Sequence, residues 1–278
     1  MMWILQLSDI HLAVKEGCKV NRADFLKLMN EKIKESVDPA HTIIVTVCGD
    51  ITYKGDPRGY GPANVFFQKM KDTFDHDIVF CPCPGNHDVT SDKANYFNGF
   101  NEFVWDLTNE ADISFSMQNT AVCKSLEDID MILVNSAYHG DCTYGLVKLD
   151  DLEAALESSK SLNRIIVTHH HSISMDQDNR SAIANAYRFL QLAVAYEVKA
   201  ILHGHRHMET ILLVGKNKCR LIGVGSLFFR PGYNLNNQFN VIKYENGSIK
   251  EAYTYRYVGD LHEHGRVGGF HMDHLRES

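Results

Sequence analysis

Five apolar runs in this sequence are each followed, within a few residues, by Asp, Asn or His side chains. The runs cover residues 3–7, 42–47, 78–80, 164–168 and 200–202. Short apolar runs rich in β-branched residues are typical of strands that are buried on both faces. Helical patterns separate several of them, so the chain alternates strands and helices, as parallel sheets with right-handed crossovers do. The carboxyl ends of such strands share one sheet edge, where open α/β folds bind their ligands.

The polar residues after these runs are the donors that divalent metal ions prefer. The candidate donors are Asp9, His11, Asp50, Asn86, His169, His205 and His207. Asp9 and His11 are two residues apart and therefore share a face of an extended backbone. His205 and His207 repeat this spacing. Oxygen and nitrogen donors without a thiolate favour two ions of Mn, Fe, Zn or Mg that share one bridging carboxylate. Two such ions suit in-line displacement at phosphorus.

Helical and hairpin patterns complete the fold prediction. Helices are predicted for residues 21–37, 63–74, 94–107, 149–156 and 183–194. Hairpins are predicted for residues 113–124, 211–224 and 239–257. The last of these has an Asn246-Gly247 turn, which is a strong hairpin signal. We therefore predict an α/β protein whose terminal hairpins extend into a second, mixed sheet. Residues 1–258 would form a single domain, followed by a polar, His-rich tail over residues 259–278.

Composition and the amino terminus narrow the class of partner. The net charge is −7 and no block of Lys or Arg occurs, which makes a nucleic-acid partner possible but not favoured. Residues 1–9 contain no signal-peptide core, and no window reaches the roughly 18 apolar residues of a membrane span. These features predict a soluble, cytoplasmic protein without a membrane partner, and they leave its oligomeric state open. The scattered cysteines, including Cys81 and Cys83, are predicted to be reduced packing residues.

Five motifs resemble those of the calcineurin-like metallophosphoesterase superfamily and occur in the order of that family. They are Asp9-x-His11, Gly49-Asp50, Gly85-Asn86-His87-Asp88, His169 after a strand, and Gly204-His205-x-His207. The resemblance implies a two-sheet mixed β-sandwich flanked by helices, with a metal site at the carboxyl ends of the strands. The stretches ILQLSDIHL and CGDIT are similar to the branch that cleaves cyclic nucleotides and small phosphodiesters.

The resemblance also implies a role for each motif residue. One ion would be bound by Asp9, His11 and His207. The other ion would be bound by Asn86, His169 and His205. Asp50 would bridge the two ions. His87 would not bind an ion but would contact the scissile phosphate and assist the leaving oxygen, for which its near-neutral unperturbed pKa is suited. Asp88 would orient nearby groups.

These observations favour a dinuclear, metal-dependent phosphoester hydrolase. The leading hypothesis is a phosphodiesterase that cleaves small or cyclic nucleotide-type diesters through a metal-bridging hydroxide. The alternatives are a nuclease or nucleic-acid phosphatase that uses the same site, and a metal-bound scaffold domain without turnover. Candidates for substrate contact are the loop residues Arg206, His170 and His139.

Overall fold

Two six-stranded sheets face each other across an apolar core. The computed structural model describes residues 1–12, 19–90, 92, 95–174, 180–216, 218–230, 232, 235–259, 261 and 268–275. The strands of the first sheet, in spatial order, are β12 (Gly269–His274), β11 (Ser248–Val258), β10 (Gln238–Glu245), β1 (Met2–Leu7), β2 (Ile43–Cys48) and β3 (Ile78–Cys83). Strands β1, β2 and β3 are parallel, whereas β10, β11 and β12 pair in antiparallel fashion.

The second sheet repeats this mixture of parallel and antiparallel pairing. Its strands, in spatial order, are β4 (Ala121–Ser125), β5 (Asp130–Val134), β6 (Arg164–Thr168), β7 (Ala200–His203), β9 (Cys219–Gly223) and β8 (Thr210–Val214). The four central strands are parallel, and β4 and β8 are antiparallel edges. The predicted two-sheet mixed α/β fold is confirmed. The two predicted terminal hairpins form, and each extends a different sheet.

The strand side chains alternate between the core and the outer helices. Met131 and Leu133 of β5 face the core between the sheets, whereas Ile132 and Val134 face outwards. The outer face of the second sheet is covered by α4 (Leu149–Ser158) and α5 (Ala186–Ala195). Three more helices pack with the first sheet: α1 (Arg22–Lys34), α2 (Tyr60–Thr73) and α3 (Asn98–Thr108). No helix in the described ranges is long and apolar enough to cross a bilayer.

The hairpin predicted over residues 113–124 is wrong. Only its end is a strand, β4, which pairs with β5 instead. The Asn101 side chain in α3 hydrogen-bonds to both the N–H and the carbonyl of Phe115, each at 2.9 Å. Because a side chain satisfies this backbone, no strand partner is needed there. Cys81 and Cys83 are free and buried in β3, as the packing prediction required.

Part of the predicted polar tail belongs to the first sheet. Residues 269–274 form β12, which pairs with β11. The Phe270 ring explains this docking because its centroid lies 5.4 Å from that of Phe25 and 5.0 Å from that of Phe239. His262 and His264 lie outside the described residues. The division of the chain at residue 258 stays a prediction.

Buried polar side chains join the two sheets just below their carboxyl ends. Gln6 of β1 donates from Nε2 to the carbonyls of His203 (3.1 Å) and Ile222 (2.9 Å) in the second sheet. Asn240 of β10 donates from Nδ2 to Gln6 Oε1 (3.0 Å) and to the carbonyl of Gly223 (3.1 Å). Gln6 and Asn240 are both fully buried. These directional bonds fix how the two sheets are placed relative to each other.

We expect Gln6→Leu to lower the free energy of unfolding by about 2–3 kcal/mol, because three buried hydrogen bonds of about 1 kcal/mol each are lost. Urea denaturation monitored by circular dichroism measures this change. Gln118→Leu is the matched control, since Gln118 is exposed and its change should stay within about 0.5 kcal/mol. Equal stabilities for the two variants would contradict the role of Gln6.

Candidate metal centre

Strands of both sheets direct their following loops to one cluster of polar side chains. The cluster contains Asp9, His11, Asp50, Asn86, His87, His169, His205 and His207. Backbone hydrogen bonds join the first two loops, from Asp9 N–H to Gly49 O (3.1 Å) and from His11 N–H to Asp50 O (2.9 Å). The structure therefore brings every predicted ligand together. Their binding of metal ions stays a prediction.

Asp9, His11 and His207 form the first group of donors. Asp9 Oδ1 lies 3.0 Å from His207 Nε2 and 3.6 Å from His11 Nε2. Asp9 Oδ2 accepts hydrogen bonds from Ser8 Oγ (2.5 Å) and from the N–H of His205 (3.0 Å). Both ring nitrogens of His11 are buried, and neither makes a hydrogen bond within the described part of the chain. The first group is thus rigidly held and includes an unsatisfied imidazole.

Asn86, His169 and His205 form the second group. His169 Nδ1 donates to the carbonyl of Cys48 at 2.7 Å. This bond leaves the lone pair of His169 Nε2 directed at the other donors of the group. That atom lies 2.9 Å from both Asn86 Oδ1 and His205 Nδ1. With the proton on Nδ1, His169 Nε2 and Asn86 Oδ1 are both acceptors, and a cation between them would make their approach favourable.

Asp50 lies between the two groups. Its Oδ2 atom is 3.4 Å from His169 Nε2 and 3.6 Å from His11 Nε2. Burial, followed by the charges of Asp9 and Asp88, raises the pKa of Asp50 well above its usual range. A divalent cation shared by Asp50 and Asp9 would offset the repulsion between their charges. The position of Asp50 therefore fits the predicted bridging role.

The protonation states of two imidazoles also fit a metal centre, whereas at His207 the charge and hydrogen bond of Asp9 together outweigh burial and raise the pKa of the ring. Burial lowers the pKa of His169 and of His205, so both rings are neutral at neutral pH. For Asp9, burial is outweighed by the charge of His207, by the hydrogen bond that His207 makes to Asp9, and by the nearby His11 ring, which together hold the pKa of the Asp9 carboxyl well below the usual value. Neutral imidazoles and ionised carboxylates are the forms that bind metals. The donor set suits two divalent cations of borderline softness.

Several of the predicted ligands have a left-handed backbone conformation. They are Asp9, His11, Asp50, His205 and His207, with φ angles between 48° and 68°. For residues other than glycine this conformation costs on the order of 1 kcal/mol or more each, and it concentrates at functional sites. The surrounding structure therefore holds these loops in conformations that they would not choose alone.

Two glycines allow the loops to approach one another. A Cβ atom on Gly85 would overlap the carboxylate and backbone nitrogen of Asp50. A Cβ atom on Gly204 would overlap Ser8 Oγ and lie 2.7 Å from Asp9 Oδ2. Glycine is needed at both positions because of these close approaches. At Gly85 the loop after β3 approaches the loop after β2, and at Gly204 the loop after β7 approaches the loop after β1.

His87 lies at the edge of the cluster, with 28% of its side chain exposed. Its Nδ1 atom accepts a hydrogen bond from the N–H of Lys54 at 2.9 Å. The proton of the neutral ring is therefore on Nε2, which lies 4.0 Å from Asp50 Oδ2. Burial, and then the neighbouring His11, lowers the pKa of His87 to about 4. His87 thus presents an N–H donor beside the two donor groups.

Asp88 ties two of the loops together. Its buried carboxylate accepts hydrogen bonds from the N–H groups of Ile51 (3.1 Å), Thr52 (2.9 Å) and Gly85 (2.9 Å). The loop after β2, which contains Asp50, is thereby joined to the loop after β3. This geometry supports the predicted orienting role of Asp88.

Two of the predicted substrate-contact residues lie in loops: Arg206 directly follows the predicted ligand His205, and His139 lies in the loop after β5. Arg206 is half-buried and, with His171, lines a cavity of about 240 Å³. His139 stacks on Tyr144, with ring centroids 4.7 Å apart, and belongs to none of the donor groups that the described residues form. Contact of either residue with a substrate stays a prediction.

The third candidate, His170, is fully buried against the second donor group. Its Nδ1 atom lies 2.8 Å from Ser136 Oγ, and its ring centroid lies 4.5 Å from that of His205. Burial, and then His205, holds the pKa of His170 well below its usual value. His170 is therefore neutral and inaccessible to a bulky ligand, so it contributes to the wall of the cluster.

Sequence reasoning missed two aromatic residues at the edge of the cluster. The ring centroid of Phe229 lies 4.6 Å from that of His11 and 5.2 Å from that of His207. The Tyr53 ring is stacked on His87, with centroids 5.5 Å apart. Tyr53 could have been found, since it follows Asp50 by three residues in the same loop. Nothing in the local sequence marks Phe229, which comes from the segment after β9.

A family comparison agrees with this geometry. The model of the calcineurin-like phosphoesterase family matches residues 2–209, a range that includes every predicted ligand. A search of curated protein sequences found no match.

Solved structures share the fold at low sequence identity. A dimetal phosphatase from Danio rerio is 14% identical, with a TM-score of 0.59 over 91% of this chain and 94% of that chain. A purple acid phosphatase from yellow lupin (Lupinus luteus) seeds is 12% identical, with a TM-score of 0.58 over 99% of this chain and 54% of that chain. GAP50, the anchor in the inner membrane complex of Plasmodium, is 12% identical, with a TM-score of 0.54 over 99% and 89%. These similarities concern the fold alone.

We expect Asp50→Ala to retain fewer metal ions than the wild-type protein, because Asp50 adjoins donors of both groups. After Mn loading and desalting, elemental analysis should find about two ions per wild-type chain and at most about one per variant chain. Asp112→Ala, which removes an exposed carboxylate, is the control and should bind as the wild type does. Undiminished metal content in Asp50→Ala would contradict the bridging role.

Proposed function

The chain belongs to the calcineurin-like phosphoesterase family and is a metal-dependent phosphoester hydrolase, and we propose that it hydrolyses small phosphodiesters of the cyclic-nucleotide type. The observation that carries this proposal is the convergence of oxygen and nitrogen donors from both sheets, with His87 beside them. The stretches at residues 4–12 and 48–52, which are similar to the phosphodiesterase branch, favour a diester substrate.

The donor groups would each hold one divalent ion. The first ion would be held by Asp9, His11 and His207. The second ion would be held by Asn86, His169 and His205. Asp50 would contact both. When bound, such ions lower the pKa of a shared water molecule and offset the negative charge of phosphoryl oxygens. The hydrogen bond from His169 Nδ1 to Cys48 O keeps that ligand in the required tautomer.

His87 would stabilise the phosphoryl group or the leaving oxygen by donating a hydrogen bond from Nε2. Its Nδ1 atom accepts from the Lys54 N–H, so this nitrogen is occupied and does not take up a second proton. The low pKa of His87 agrees with a ring that stays neutral. We therefore propose that His87 acts as a fixed N–H donor, and its assistance of the leaving oxygen stays a prediction.

The alternative functions make different demands on the protein. A nuclease needs a basic surface along its strand, and the net charge of −7 weighs against one. A scaffold would need the fold without turnover, and GAP50, the anchor in the inner membrane complex of Plasmodium, has a similar fold. A scaffold has no physical need for an oriented His87 donor, which favours the hydrolase.

We expect metal-stripped protein to hydrolyse bis(p-nitrophenyl) phosphate once Mn is added, and to prefer it over p-nitrophenyl phosphate. Both substrates release the same phenolate, so absorbance compares their rates directly. Preference for the monoester would contradict the diester proposal and indicate a phosphatase. Faster cleavage of DNA than of the small diester would indicate the nuclease. Failure of metal-loaded protein to cleave any of these would support the scaffold.

We expect His87→Ala to lower kcat for the diester by roughly 10²- to 10³-fold, since one preorganised donor is lost. The metal content should not change because His87 is not a predicted ligand. His271→Ala on strand β12 is the control, because that side chain is 68% exposed and far along the first sheet. An unchanged kcat in His87→Ala would contradict the assigned role.

A further inference from the structure

Two aromatic rings form a half-exposed surface next to His87. The planes of Tyr53 and Phe229 are within 28° of parallel, and their centroids are 6.2 Å apart. The Tyr53 ring also lies nearly parallel to His87, at 18°. Both aromatic side chains are half-buried. We call Tyr53 and Phe229 the aromatic shelf.

The backbone of Phe229 is fixed to the first metal-ligand loop. Ser226 Oγ donates a hydrogen bond to the carbonyl of Asp9 (2.7 Å) and accepts one from the N–H of Phe229 (2.7 Å). Asn237 Nδ2 donates to the carbonyl of Phe229 at 2.8 Å. The position of the Phe229 ring relative to the donor cluster is therefore set by short, partly buried bonds.

The backbone around Tyr53 is fixed to the second and third loops. The preceding N–H, of Thr52, bonds to the carboxylate of Asp88, and the following N–H, of Lys54, bonds to His87. The Tyr53 hydroxyl makes no hydrogen bond to any described residue, and Lys54 Nζ lies 5.1 Å from the ring centroid. The shelf is thus held rigidly while part of its aromatic surface stays open.

Packing alone explains Phe229 better than it explains Tyr53. The Phe229 ring contacts His11 and His207 and supports those ligands. Purely structural rings of this chain, such as Phe66 and Phe67, are almost completely buried. Tyr53 contacts one predicted ligand, His11, edge-on with ring centroids 5.8 Å apart, but its ring is half-buried and its hydroxyl makes no hydrogen bond within the described residues. A half-exposed ring beside the proposed phosphate site suits stacking with a planar group of the substrate.

We propose that the aromatic shelf binds a planar aromatic group of the substrate, a nucleobase or an aryl ring, next to the phosphorus. This inference rests on the proposed phosphodiesterase function and names the part of the substrate that Tyr53 and Phe229 recognise. Lys54 Nζ lies over the Tyr53 ring, 5.1 Å from its centroid, so it adds positive charge that suits an anionic ester, and a stacked group would displace this flexible side chain. The shelf selects aromatic over aliphatic esters by stacking.

The test compares two phosphonates with the same head group, phenylphosphonate and cyclohexylphosphonate. Isothermal titration calorimetry on Mn-loaded protein gives both Kd values without any need for turnover. Buried apolar area alone favours the larger cyclohexyl ring, whereas stacking favours the planar ring. We expect the wild type to bind phenylphosphonate about tenfold more tightly than cyclohexylphosphonate.

Variants assign this preference to the shelf. Tyr53→Ala should bring the ratio of the two Kd values close to one, because phenylphosphonate should bind more weakly. Tyr53→Phe should keep the preference for phenylphosphonate. Tyr187→Ala removes a tyrosine that is 74% exposed on α5, and it should leave the ratio unchanged. The metal content of each variant is measured alongside, so that a loss of ions is recognised. Tyr53→Ala is the decisive variant because Tyr53 contacts one predicted ligand, His11, whereas Phe229 contacts two, and the measured metal content shows whether the loss of that contact affects the ions.

Either of two results would contradict the proposed role of the aromatic shelf. One is a ratio of the two Kd values near one in the wild type, and the other is an unchanged ratio in Tyr53→Ala. Hydrolysis of bis(p-nitrophenyl) phosphate by the same preparation separates this inference from the proposed function. Hydrolysis without a preference for phenylphosphonate would contradict only the proposed role of the aromatic shelf. Aryl preference without any hydrolysis overturns the proposed function and leaves the shelf as a ligand site.

Discussion

The hydrogen bonds of Gln6 across the two sheets determine where the metal-site loops begin. Gln6 lies three residues before Asp9, and its side chain bonds to the carbonyl of His203, two residues before His205. Apolar packing is non-directional and would allow the sheets to slide. Directional bonds to backbone carbonyls select one placement instead. The contact between the Asp9 carboxylate and the His205 N–H depends on that placement.

The cluster of predicted ligands that follows these strands is energetically unfavourable in the absence of cations. Asp50 is buried close to Asp9, and several ligand residues have strained, left-handed backbones. The strain and repulsion are sustained by the packing of both sheets and by braces such as Asp88. A site prepared in this way needs little rearrangement when ions bind, and ion binding adds to the stability of the folded state.

Local signals made most strands and the ligand cluster predictable from sequence. The β-branched runs before Asp50 and His169 mark buried strands, and each polar residue follows within the same local segment. Long-range contacts were not predictable. The partners of Gln6 in the second sheet are about 200 residues away, and Phe229 reaches the cluster through a bond between Ser226 and Asp9. The prediction of a hairpin over residues 113–124 also failed because of a contact that local sequence does not show. The side chain of Asn101, which lies in helix α3, bonds to the backbone of Phe115.

The central claim is that loops from two sheets hold two ions around one shared carboxylate. Anomalous diffraction at the manganese edge, from crystals of Mn-loaded protein, tests it most directly. We predict two peaks about 3.5–4 Å apart. One peak should lie between Asp9, His11 and His207, the other between Asn86, His169 and His205, with Asp50 between the peaks. A single peak, or two peaks of which one lies away from Asp50, would contradict the claim.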